Sequence, residues 1–148
     1  SLKTVTNSPG AIHIFRIPSG TIKATGWLED QLLLEANGLA GHLFDFYRFV
    51  AHSTWVGGTY EYSELHESAP YWFNYIVPLA FTLDDPRLKI QTQQFLDYVI
   101  DHQADDGWLG PEATRQTRGI WARSLLFFAL MVSKRSLIVW EEAVKEAN

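Results

Sequence analysis

The sequence predicts an all-α fold of antiparallel helical hairpins, and three observations carry that expectation. Apolar residues recur at helical spacing in five successive segments. Proline, aspartate and glycine stand where helices begin and stop. The segments also alternate between a single apolar stripe and an apolar surface around nearly the whole circumference. A striped helix can face water on one side, whereas a helix without a polar face has to be covered all round. The alternation therefore predicts two layers, an inner dry one and an outer half-wet one.

Residues 1–24 are expected to form an extended lead-in, and residues 25–148 a helical domain of about five helices. Positions 1–10 are polar and end in Ser8-Pro9-Gly10. Ile12, Ile14 and Ile17 suit a short extended strand, turned at Pro18-Ser19-Gly20. From 27 to 50, Leu28, Leu32, Leu39, Leu43 and Phe46 mark one helical stripe, with Thr25 as the expected cap and Glu29 and Asp30 favourably placed in the first turn. Gly38 and Gly41 weaken this helix by roughly 1 kcal/mol each relative to Ala and set a possible bend.

The stretch 52–69, with Gly57-Gly58 and many aromatic and charged residues, reads as a functional loop. Helix 71–83 is apolar all round, is started by Pro70, and loses one backbone bond at Pro78, where a kink is expected. Asp84-Asp85-Pro86 closes it and caps the next helix, 87–103, whose stripe is Leu88, Phe95, Leu96 and Val99. A second turn-rich loop, 105–111, leads to another mostly apolar helix over 118–132. A last amphipathic helix, 137–147, would bury Leu137, Trp140 and Val144. Gly26-Trp27-Leu28 and Gly107-Trp108-Leu109 match over three residues, too few for an internal repeat.

Composition narrows the function classes. The 148 residues suffice for a sizeable core, and 47% hydrophobic with 14% aromatic content argues against disorder. A net charge of -5 offers no general attraction to nucleic acid or an anionic membrane, and no apolar run approaches the roughly 20 residues of a bilayer span. Without cysteine, thiol catalysis and zinc thiolate sites within this chain are excluded, while the compartment stays open. Beginning at Ser1 with no signal-peptide core, the chain is expected to be a processed or excised piece.

A set of motifs in order then gives a resemblance. These are Gly26-Trp27-Leu28 with Gln31-Leu32, Gly38-Leu39-Ala40-Gly41-His42, Trp55-Val56-Gly57-Gly58, Pro70-Tyr71-Trp72-Phe73-Asn74, Val77-Pro78-Leu79-Ala80, Leu83-Asp84-Asp85, Asp97-Tyr98 and the stretch 103–111. Together they resemble the opening part of the β-L-arabinofuranosidase-like glycoside hydrolases, glycoside hydrolase family 127, with Trp121-Ala122-Arg123 extending the match. The resemblance implies the first portion of an (α/α)6 six-hairpin toroid. In that family a cysteine nucleophile, zinc-binding cysteines and a glutamate lie later in the chain, so no catalytic residue and no metal ligand is carried over here. A family zinc site would lie beyond residue 148. The family's histidine after the second loop is also missing, since Trp121-Ala122-Arg123-Ser124 stands there.

Hairpin topology places loops 51–69 and 104–117 at one pole, where the family holds its sugar. The candidate substrate contacts are Trp55, Glu61, Tyr62, Glu64, His66, Glu67, Tyr71, Trp72, Asp106, Trp108 and Arg123. Aromatic faces stack on sugars and carboxylates hold hydroxyls. Simpler roles compete: core packing for Trp72, a helix-end plug for Trp108, turn fixing for Asp105-Asp106, and a solvated face for Glu61, Glu64 and Glu67, which share a side only if their loop is helical. A glycosidase needs carboxyls either ~5–5.5 Å or ~6.5–9.5 Å apart, and spacing does not establish that. His42 and His102 read as hydrogen-bonded structural residues, and His66-Glu67 lacks the second histidine of a zinc-protease helix.

Two functions follow as expectations. One is the N-terminal portion of a glycosidase, inactive alone, with an arabinofuranosyl-type glycan as partner and either self-association or the rest of the toroid completing it. The other is a non-enzymatic helical-repeat module that binds a protein partner.

Overall fold

The computed structural model describes residues 20–132. Residues 1–19 of the lead-in, the strand expected over 12–17 and the helix expected over 137–147 lie outside the described residues, and 20–24 are neither helix nor strand. Within them the chain is all-α: α1 (Trp27–Asn37), α2 (Leu39–Phe46), α3 (Arg48–Ala51), a 3-10 turn (Thr54–Val56), α4 (Ser68–Leu83) and α5 (Pro86–Asp101). Helical backbone follows at 121–132, here α6. Among the described residues there is no strand, and the bridge between Ser53 and Tyr60 is isolated.

Helices α4 and α5 form the hairpin expected from the Asp84-Asp85-Pro86 signal. Asp84 takes the left-handed conformation that ends α4, and the Asp85 carboxylate accepts from the N–H groups of Arg87 and Leu88. Such a cap contributes about 1 kcal/mol. Phe73 and Phe95, on the two sides of that turn, pack with centroids 4.7 Å apart, and Trp72 meets Phe95 edge-on at 5.6 Å. Phe73, Ile76, Leu88 and Phe95 are fully buried, each worth roughly 1.5–3 kcal/mol of removed apolar surface. Pro78 lies inside α4 as expected, although the helix starts two residues before Pro70. One edge of α4, with Tyr71 and Tyr75, stays open to solvent.

The single long helix expected over 27–50 is three helices. Gly38 is extended, and Tyr47 breaks the chain again with ψ 108. The interruption is held from outside: Arg87 of α5 donates to the carbonyls of Ala36 at 2.5 Å and Gly41 at 2.7 Å. The Ala36 carbonyl is one of the orphans at the C-terminus of α1 and Gly41 lies in the first turn of α2, so Arg87 ties the two sides of the break by tertiary contact, and glycine does not act alone. The expected stripe is split accordingly. Leu28, Leu39 and Phe46 are exposed, while Leu32, Leu43 and Ala36 pack against the core. Thr25 is not the cap either: Gly26, at φ 62, occupies that place without a side-chain bond.

Helix α6 buries Ala122, Arg123, Leu126 and Ala129. Its other side, expected to be covered, carries exposed Trp121, Phe127, Phe128 and Met131, with Ile120 just ahead of it. No helix among the described residues is long and apolar enough to cross a membrane.

Candidate functional site

Loops 51–69 and 104–117 meet, and the residue that joins them is Arg123. Its guanidinium lies 4.8 Å from the ring centre of Trp55 and 4.4 Å from that of Trp108. Nε donates to the Leu109 carbonyl at 2.8 Å, and the two terminal nitrogens make a forked pair with the Glu112 carboxylate. Both side chains are almost completely buried, at 4% and 3% exposure. Burial holds Arg123 below the usual guanidinium range, at about 10, so it stays charged at neutral pH. Gly110, at φ 131, is required by this packing, because a Cβ there would collide with Arg123 Nη2.

Trp55 and Trp108 are therefore scaffold as much as surface. Trp55 is 2% exposed and donates from Nε1 to the His66 carbonyl at 2.6 Å. Trp108 donates to Glu112 at 3.3 Å and has Arg118 over its ring as well. Asp106 fixes the turn by accepting from the Trp108 N–H, and it also accepts from Arg118 at 2.6 Å and Arg115 at 3.3 Å. The Arg118 hydrogen bond is the chief reason its carboxyl is held down at about 2.

The segment bearing Glu61, Glu64 and Glu67 is not helical, so the three do not share a face. Glu61 Oε1 collects the Ser53 hydroxyl at 2.8 Å, the Thr54 N–H at 3.0 Å and the Thr54 hydroxyl, while Oε2 is buried without a partner. Glu64 is exposed, and Glu67 accepts from Ser63 at 2.7 Å. His66 stands beside Glu61 with its backbone at φ 52.

Two clefts flank this segment. The first, about 410 Å³, is lined by Thr54, Trp55, Gly58, His66, Tyr98, Val99, His102, Gly110 and Pro111. The second, about 430 Å³, is lined mainly by Leu43, Tyr47, Val50, Tyr62, Glu67, Tyr71, Trp72 and Tyr75. Apart from Glu61 and the exposed Glu64, the candidates separate into three sets. Trp55 and His66 line the first cleft, and Tyr62, Glu67, Tyr71 and Trp72 line the second. Asp106, Trp108 and Arg123 form the charged brace between loops, and Glu61 stands behind His66. Trp72, 4% exposed and stacked on Phe44 at 4.9 Å, is chiefly core.

Sequence reasoning missed Glu112, Thr54, Tyr98 and the second role of His102. The signal for Glu112 was its place directly after Gly110-Pro111, four residues from Trp108. His102 is hydrogen-bonded structurally, as expected, through Nδ1 to the Tyr98 carbonyl at 2.8 Å, and it also borders the first cleft. Among the described residues no three His, Asp or Glu side chains are grouped to hold a metal ion. No family model, curated protein or solved structure matches the chain.

Proposed function

We propose that this chain is the N-terminal portion of a β-L-arabinofuranosidase-like glycoside hydrolase, an arc of the (α/α)6 toroid that supplies sugar contacts and leaves the bond-breaking groups to other parts of the protein. The observation that supports this reading is the convergence of the two aromatic loops, one preceding α4 and one preceding α6, around Arg123 at one end of the helices. Stacked hairpins bring alternate loops together in that way. The second cleft offers two exposed tyrosines, Tyr62 and Tyr71, beside a carboxylate, Glu67. That combination suits a saccharide better than a charged cofactor. Titration with arabinofuranosyl oligosaccharides tests the reading: binding is expected, weakened by Tyr71→Ala, and no turnover is expected from this chain alone. Turnover would refute the placement of the chemistry, and absence of any saccharide binding would refute the function.

The partner-binding module is favoured by a different observation, the open apolar side of α6, where Ile120 is 79% and Phe128 59% exposed. Capture of a protein partner in place of glycan, lost on Phe128→Asp, would support that reading instead.

A further inference from the structure

The first cleft contains two imidazoles whose neighbours decide their tautomers. Thr54 has one hydroxyl proton, and it goes to Glu61 Oε1. Thr54 Oγ1 therefore meets His66 Nδ1, 3.2 Å away, with a lone pair only, so that nitrogen must carry the proton. Glu61 Oε1, at 3.7 Å from the same nitrogen, favours an N–H there too. At His102 the acceptor is a backbone carbonyl, which cannot donate, so its Nδ1 is also the protonated one. Each neutral ring is left with an unprotonated Nε2, and neither Nε2 has a hydrogen-bond partner among the described residues.

We propose that this cleft binds a neutral polyhydroxylated ligand by offering it the Nε2 atoms of His66 and His102 as paired acceptors for two hydroxyls. The inference rests on the carbohydrate reading above and adds the first cleft to the second, whose Tyr62, Tyr71 and Glu67 that reading uses. Thr54 and Glu61 are positioning residues that act through His66, in the way a carboxylate behind an imidazole fixes its tautomer. The left-handed backbone of His66, an unfavourable conformation for this residue, is held by the Trp55 indole on its carbonyl. Arg123, beside the cleft, is spent on Glu112, Leu109 and Gly119, so it offers an anion no free guanidinium.

The test uses nitrogen-15 NMR of the imidazoles in the full chain. Both histidines are expected as Nδ1–H tautomers, and an arabinofuranosyl oligosaccharide is expected to shift both Nε2 resonances. His66→Phe and His102→Phe should each weaken its binding roughly tenfold, the scale of one lost buried hydrogen bond. Thr54→Val should mix the His66 tautomers and leave His102 unchanged, with Thr54→Ser restoring both tautomer and affinity. A dominant Nε2–H form at either residue overturns the inference. So does a saccharide that binds while both Nε2 signals stay still, an outcome that leaves the carbohydrate reading intact. Tautomers as stated with no saccharide bound refute the carbohydrate reading and, with it, the ligand class assigned here.

Discussion

Removing the Glu112 carboxylate should unfasten the two loops, because it leaves a buried cation without its counter-charge. In Glu112→Ala, Arg123 loses the 2.6 Å bond at Nη1 and the paired one at Nη2, and Trp108 loses its 3.3 Å acceptor. Only the bonds to the Leu109 and Gly119 carbonyls remain on a side chain that is 4% exposed. A guanidinium keeps its proton at neutral pH, so Arg123 cannot shed its charge to escape the cost. Breaking one side of a buried pair costs about 3–5 kcal/mol, against a total stability on the order of 5–15 kcal/mol. With an m-value of ~2 kcal/mol/M, the urea midpoint followed by tryptophan fluorescence should fall by roughly 2 M. Should Glu112→Ala be unfolded outright, Glu112→Gln, which keeps shape and one acceptor, is expected to lose about 1–3 kcal/mol. The double variant Glu112→Ala with Arg123→Met should recover much of the loss, since an apolar pair has no charge to strand. A Glu112→Ala protein within ~0.5 kcal/mol of the parent, at unchanged m-value, would show that the buried pair does not hold the loops together.

Three further outcomes are expected. The folded-state pKa of Asp106 is depressed to about 2, from 3.8, so its contribution is full above 3.8 and disappears as pH falls through about 2. The stability gap between the parent and Asp106→Asn, measured by urea unfolding at stepped pH, should therefore be constant at pH 5–7 and close on acidification; a gap that persists below pH 2 would show another origin. Gly41→Ala, normally a gain in a helix, should destabilise by about 1–3 kcal/mol, because the new Cβ collides with the Ala36 carbonyl that Arg87 holds; thermal melts check the sign. The exposed Trp121, Phe127, Phe128 and Met131 should make the chain self-associate with rising concentration in sedimentation, and Phe128→Asp should shift it towards monomer.

Interactions between near neighbours in sequence were legible directly. The Asp85 cap and Pro86 at the start of α5 came from three consecutive residues, and the stripe of Leu88, Phe95 and Val99 is buried, with Phe95 against Trp72 and Phe73 of α4. The buried character of α4 was readable from its lack of polar residues, except for the Tyr71 and Tyr75 edge. The Asp106 turn was equally local, but its arginine partners, nine and twelve residues on, were not foreseen.

Gly38 illustrates the limit. A glycine in a helical pattern weakens it by a known small amount, yet whether the helix bends or breaks depends on what receives the freed carbonyls. That receiver is Arg87, some fifty residues away in sequence, and no period or cap signal points to it. The same holds for Glu112 and Arg123, whose burial is tolerable only because each is the other's partner between two tryptophans. The chain's own periodicity and capping chemistry were enough to make it helical and to mark its loops, since those effects act within a turn or two of backbone. Which charged side chains end up inside and where the first helix stops were settled by contacts between distant segments, because burial and partner geometry exist only once those segments pack.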